Sequence, residues 1–526
     1  MPEYDYIIVG AGSAGCVLAS RLSENPAARV LLLEAGAASH PMKVRVPAAF
    51  SKLFKGTLDW NYSTEPEPYL NERKLYWPRG KVLGGSSAIN AMIYVRGNRL
   101  DYDHWEGLGN DGWGYRDVLP YFLKCEHQER GLSDYHGLGG PQWVSDLRYV
   151  SPLTRAFLAG ADELGIPPNS DFNGAQQDGA GLYQVTQRDG RRHSAADAYL
   201  KTAMKRSNLT VVTEAHATRV LVDKNRARGV EYLARGAKHR AAADREVLLA
   251  AGAVNSPQLL LLSGIGPADE LKRFAIGTLV DLPGVGKNLQ DHPMVSVGYL
   301  CTKPVSLATA ESPVNLLRYL LGKRGPLASN VAEAGIFLRT RSELESPDLQ
   351  LLFGPVYYVN HGFDTRKEHC FGFGPTLITP RSRGEVALRS ADPLAPPRIR
   401  ANYLSSDQEL RVIAEGIRLS RQIAHSKALE PFRGEELLPG AGVTTAEQIA
   451  AFIRGAAQTL YHPVGTCKMG VDEMAVVDPQ LRVRGLAGLR VVDASVMPRI
   501  PAGNTNAPTL MIAEKAADMI RAQAHP

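Results

Sequence analysis

The chain has 526 residues and 57.1 kDa, with 44% hydrophobic and 22% charged residues, an ordinary composition for a soluble globular protein that exceeds one core and predicts two domains or one elaborated domain. A net charge of +6 without a long basic run gives nucleic-acid binding no support, and no apolar run approaches the roughly eighteen residues of a membrane span. Five scattered cysteines with no C-x-x-C pair argue against a disulfide framework or a zinc site and point to a reducing setting.

Met1-Pro2-Glu3-Tyr4-Asp5 carries no basic leader segment and runs straight into an apolar strand, so no signal peptide is expected. A cytoplasmic protein follows, with attachment to a membrane surface left open. The strand Tyr6 to Val9 enters Gly10-Ala11-Gly12-Ser13-Ala14-Gly15, then a helix with Val17, Leu18, Ala19 and Leu22, then a second strand ending on Glu34 and Ala35. Gly10 permits the tight turn, Gly12 removes a Cβ where a pyrophosphate approaches, and Gly15 lets helix and strand pack closely. The helix start offers N–H groups and partial positive charge to phosphates, and Glu34 suits the hydroxyls of an unphosphorylated ribose. A dinucleotide site is expected; FAD and NAD remain equal at this point.

Residues 36 to 78 read as a Pro-dotted connection that could cover the cofactor. The Gly/Ser-rich stretch from Arg79 to Ile93 follows, where small residues let backbone amides close on a ligand or form a plain loop. Trp105, Trp113, Tyr115, Tyr121 and Phe122 read as core. A capped helix is expected from about Val150 to Leu164, another over Ser194–Met204, and strands at Leu209–Val212, Ala217–Val222 and from Glu231. Glu246 to Gln258 repeats the strand, glycine turn and helix, with Ala251 and Gly252 at the turn, and reads as part of the same parallel sheet. From about 300 to 455 alternating segments suggest an antiparallel sheet with helices on one face and a substrate cavity on the other. Within it the Val314–Leu321 helix reads as buried, with a pocket rim or a membrane contact as alternatives.

Tyr461-His462-Pro463-Val464-Gly465, Val492-Asp493-Ala494-Ser495 and Gly503-Asn504-Thr505-Asn506-Ala507-Pro508-Thr509, together with the segments at 79 to 93 and 251 to 267, closely resemble the glucose-methanol-choline (GMC) oxidoreductases along essentially the whole chain. The likeness is strongest to the bacterial alcohol and choline dehydrogenase branch. It implies an α/β fold: a Rossmann-like FAD-binding domain (residues 1–155, 208–300 and 456–526) and a substrate domain built on an antiparallel sheet with helices (156–207 and 301–455). It implies FAD contacts from Arg79, Val82, Gly84, Gly85, Asn90, Ala91 and Met92, from Val220 near the adenine, and from Asp493, Ala494, Asn506 and Thr509. Ile89 stands where some relatives attach flavin through a histidine, so non-covalent FAD is expected.

The resemblance also makes His462 the base for a primary alcohol, with hydride passing to flavin N5, and Asn506 the second member of the catalytic pair. A helix from about Ala507 would favour negative charge on the reduced flavin. His292 reads as structural. The electron acceptor (quinone, carrier or oxygen) is not legible, and choline dehydrogenase and hydroxynitrile lyase stand as alternatives.

Overall fold

The computed structural model describes residues 2–38 and 41–523. Its first sheet runs in the order Leu209–Val212, Val30–Leu33, Glu3–Val9, Ala237–Leu249, Arg226–Ala234, Ala215–Asp223, with Leu489–Val491 joined to Ala237–Leu249. The 13-residue strand Ala237–Leu249 serves two patterns. Its first half pairs antiparallel with Arg226–Ala234, and its second half pairs parallel with Glu3–Val9, placing Val9 beside Leu249. Both glycine turns therefore leave the same sheet edge side by side, as expected for the carboxyl ends of parallel strands.

Helices Ser13–Leu22 and Asn506–Gln523 pack together on this sheet. Arg21 clamps the fully buried Glu514 through Nε to Oε2 at 2.9 Å and a second guanidinium nitrogen to Oε1 at 2.8 Å, and the Tyr199 hydroxyl donates to the same carboxylate. The C-terminal helix is thus tied to the first helix, which holds its start near the glycine turn. Trp105, Trp113 and Phe122 are core, as their size predicts.

The second sheet is antiparallel throughout, in the order Arg433–Leu438, Val297–Cys301, Cys370–Leu377, Leu349–Gly354, Ala334–Leu338, Gly179–Leu182, with Pro293–Met294 and Gln458–Thr459 alongside. Alternation sorts its faces. Leu349, Leu351, Phe353, Phe371 and Phe373 enter a core covered by helices Pro152–Glu163 and Asp407–Ala424, where Phe157 stacks on Phe353 at 4.4 Å between ring centroids. Leu352, Gly354, Gly372 and Gly374 line a cavity on the other face.

The sequence-based division is crossed at several points. Residues 293–301 and 458–459 hydrogen-bond into the second sheet, whereas Ala195–Ala203 packs into the first core. Glu385–Ala387 pairs with Arg398–Arg400 in a separate two-stranded sheet. The Pro313–Gly322 helix forms as expected, but of its residues only Tyr319 is buried. Pairing across such sequence separations is set by tertiary packing, which local pattern does not encode.

A Cβ on Gly15 would fall 1.8 Å from the Gly10 carbonyl oxygen, whereas one on Gly12 would meet no protein atom closer than Ala250 O at 3.9 Å. Gly15→Ala should therefore lose about 1–3 kcal/mol of stability through overpacking. Gly12→Ala should leave the melting midpoint of the ligand-free protein nearly unchanged; thermal denaturation of the two variants checks the contrast.

Candidate active site

One cavity runs from Glu34 at the end of the second strand to His462, between the two sheets. Of the residues singled out from sequence, it is lined by Gly10, Gly12, Ser13, Ala14, Glu34, Ala35, Arg79, Gly85, Asn90, Ala91, Met92, Ala251, Gly252, His462, Asp493, Ala494, Asn506 and Thr509. Gly15, Val82, Gly84 and Val220 are not on its wall. Gly15 supports the turn from beneath, Val82 sits in a small apolar cluster, and the Gly84 N–H donates to Ala11 O at 2.8 Å. Val220 points into the sheet core and its N–H donates to Ser263 Oγ, while Ala215, His216 and Ala217 of the same strand line the cavity instead. The difference is one of position along the strand: the cavity meets only its first three residues, and Val220 lies beyond them in the sheet core.

The dinucleotide end fits its expected occupant. Gly12 caps the Ser13–Leu22 helix without a side-chain hydrogen bond, leaving first-turn N–H groups available to an anion. Gly252, at φ +84°, has nothing within 4 Å of a built Cβ, so the second turn also leaves open space. The Glu34 carboxylate accepts from the N–H groups of Ala11 at 2.9 Å and Gly36 at 2.8 Å, while burial pushes its pKa up to about 7. Asp493 organises the second turn: its Oδ2 accepts from Gly252 N at 2.8 Å and Ser256 Oγ at 2.6 Å, and its Oδ1 from Ser495 N at 2.8 Å. Asn90 Oδ1 is held from behind by the buried Arg192 at 2.7 Å, a positioning contact that sequence reading did not identify.

At the far end, Tyr461 takes a left-handed conformation, φ +71°, that turns the following His462 inward. Its hydroxyl hydrogen-bonds with Tyr358 and with His361 Nδ1, each at 2.8 Å, and Arg79 donates to its carbonyl at 2.7 Å. The His462 N–H donates to Asp291 Oδ1 at 2.7 Å, while the hydroxyls of Tyr403 and Thr459 donate to Oδ2.

The protonation pattern of His462 follows from its partners. His292 Nε2 lies 3.1 Å from the Ile378 carbonyl, an acceptor only, so that nitrogen carries hydrogen. In the neutral ring His292 Nδ1 is then an acceptor, and His462 Nδ1, 3.0 Å away, must be the donor. This leaves the lone pair on His462 Nε2. Burial, with the nearby His292 and Arg79, pushes the His462 pKa well below its ordinary 6.5, so the ring is neutral at physiological pH.

The side chain facing that lone pair is Asn504, whose Nδ2 lies 3.2 Å from His462 Nε2 and whose buried Oδ1 has no protein partner. Asn506 lies elsewhere: its Oδ1 accepts from Ser13 Oγ at 2.7 Å, at the dinucleotide turn. The expectation of a His462–Asn506 pair is therefore corrected to His462–Asn504. Two residues of separation at the entry to a helix are enough to send two asparagines to different ends of the cavity, and the Asn-Thr-Asn spelling alone does not choose between them.

Around His462 the walls are Phe50, Phe54, Met294, Val331, Val356, Tyr357 and Tyr358, besides the second-sheet residues, and among the described residues the carboxyl and guanidinium groups on the lining are those of Glu34, Arg79 and Asp493. Phe50, Phe54 and Trp60 come from the Pro-dotted connection, which does cover the cavity. Among the described residues no three His, Cys, Asp or Glu side chains form a metal-binding group, and all five cysteines are free.

Similarity to known proteins gives the family. The chain is 46% identical to an alcohol dehydrogenase (acceptor) of Pseudomonas putida, covering 98% of this chain and 95% of that one. It is also 46% identical to a mitochondrial choline dehydrogenase of Mus musculus, covering 100% and 90%. A solved formate oxidase variant of Aspergillus oryzae, studied for its FAD modification, superposes with a TM-score of 0.94 at 29% identity over 99% of this chain and 98% of that one. Family models described as GMC oxidoreductase match residues 4–294 and 380–513. With its two glycine turns, its neutral buried histidine and matches over most of its length, the chain belongs to the GMC oxidoreductases, FAD-dependent enzymes acting on CH–OH donors.

Proposed function

We propose that this enzyme oxidises a neutral, largely apolar primary alcohol to the aldehyde, with His462 as base and Asn504 as the group that orients the hydroxyl. The observation that carries the reading is the lone pair on His462 Nε2, left there by the His292 and Ile378 contacts and facing the Asn504 amide. An alcohol seated between them donates its O–H to Nε2 and accepts from Asn504 Nδ2, which holds the oxygen while its proton leaves. Bound FAD, held without a covalent bond, supplies the acceptor for the carbinol hydride. In this reading the first sheet and its glycine turns hold the cofactor, and the second sheet and the Phe50–Phe54 cover hold the substrate.

Charge supports a neutral substrate over choline. A quaternary ammonium would enter a wall with aromatic rings but without a free carboxylate, because Glu34 stands at the opposite end and both oxygens of Asp493 are engaged. Aromatic faces offer a cation about 0.5–2 kcal/mol each, while the half-buried Arg79 guanidinium in the same cavity repels it. The free cysteines suit a cytoplasmic setting.

Anaerobic mixing of the yellow holoenzyme with alcohols tests the reading through flavin absorbance. Benzyl and straight-chain alcohols should bleach it with a higher second-order rate constant than choline; the reverse order, or no bleaching in protein that dithionite still reduces, overturns the substrate assignment. His462→Ala should keep its FAD yet bleach slower by orders of magnitude, and Asn504→Ala should lose about a hundredfold, the cost of removing one oriented donor. Asn506→Ala should leave the alcohol-dependent rate much closer to that of the parent.

The bleaching rate should also depend on pH in a defined direction. Because the His462 pKa is lowered, its basic form persists below pH 6.5. The rate should stay level through neutral pH and fall only in more acid solution. An acid limb centred above pH 6.5 would contradict the structural account of the base.

A further inference from the structure

We infer that the Pro313–Gly322 helix is a docking face for an anionic lipid bilayer, an assignment independent of the alcohol reading. Val314, Leu316, Leu317, Leu320 and Leu321 are 61%, 47%, 57%, 50% and 81% exposed, five large apolar side chains on one ten-residue helix. Its inward side is carried by Tyr319 alone, which packs with Leu307, Leu327 and Ala328 and whose hydroxyl donates to the carbonyls of Arg45 and Gly190. Soluble surfaces scatter such side chains singly; their concentration on one element calls for an apolar partner.

The surroundings choose the partner. Arg318, Lys323 and Arg324 lie on the helix or just after it, and no Asp or Glu occurs between Glu311 and Glu333. The two carbonyls gripped by Tyr319 bring alongside the segments that carry exposed Lys43, Arg45 and Arg191. The two acids on the flanks are already engaged, Glu311 with Lys52 and Asp189 with Arg188. An apolar strip with a cationic fringe is the pattern of an interfacial helix lying on anionic headgroups, with its leucines in the acyl boundary. A second copy of the chain would bring the same cations to the contact and set like charges together.

Position links this face to the cavity. Val331 and Val356 pack against the Tyr319 cluster and also line the cavity near His462, so the helix stands one layer of side chains outside the substrate wall. Docking there would set that wall against the bilayer, a natural source of apolar alcohols.

Co-sedimentation of the FAD-loaded enzyme with vesicles provides the test. The parent should pellet with phosphatidylcholine vesicles containing phosphatidylglycerol, pellet less with phosphatidylcholine alone, and be released by high salt. Leu317→Ser combined with Leu321→Ser should lower the partition coefficient at least tenfold while the melting midpoint, flavin spectrum and turnover of a water-soluble alcohol stay unchanged, because both side chains are solvent-facing. Arg318→Ser with Arg324→Ser should remove the preference for the anionic lipid. A parent that stays in the supernatant with every vesicle, a leucine variant that pellets as the parent does, or a parent that forms dimers abolished by the leucine changes without binding vesicles would each overturn the assignment.

Discussion

Backbone packed directly on backbone is the constraint on which this structure depends. A Cβ on Gly10 would strike Ala250 O at 2.6 Å, one on Gly85 would strike Gly12 Cα at 2.7 Å, and one on Gly36 would strike Lys81 O at 2.0 Å. The first glycine turn, the second turn and the 79–93 loop are thus stacked with no side chains between them. Only glycine allows that approach, and the result is a narrow set of convergent N–H groups at one sheet edge. The Arg21–Glu514 clamp then brings a third helix start, at Asn506, to the same place.

The two ends of the cavity solve opposite electrostatic problems. At the dinucleotide end the helix starts favour negative charge, and Glu34 and Asp493 are stabilised in burial by backbone donors. At the histidine end an imidazole is kept neutral and in one tautomer. Desolvation lowers its proton affinity, and the chain from Ile378 O through His292 to His462 Nδ1 leaves only Nε2 to receive a proton. His292, which reads from sequence as a structural residue, is structural in a chemically specific way, since it decides which nitrogen of its neighbour faces the cavity.

Apolar surface is likewise divided by tertiary context. The Asp407–Ala424 and Pro313–Gly322 helices both carry helical-period leucines and isoleucines, and the pattern alone makes both core elements. The first buries Leu410, Ile413, Ile417 and Ile423 against the second sheet, while the second leaves its leucines outward because its single anchor, Tyr319, already fills the space beneath it. Periodicity reports that an apolar face exists; what covers that face depends on the neighbouring elements.

What the sequence determined by itself was the local chemistry: the strand, turn and helix around Gly10–Gly15, the acid at Glu34, the repeat at Ala251–Gly252, the core tryptophans and the histidine before Pro463. Each is legible because a backbone conformation or a chemical group restricts the residue at that very position. The tertiary structure alone decided where along its strand the cavity passes Val220, which short strands join the second sheet, and which asparagine meets His462. Those outcomes depend on contacts between segments hundreds of residues apart, and a change of two positions at a helix entry, from Asn504 to Asn506, moves a side chain from His462 to the first glycine turn.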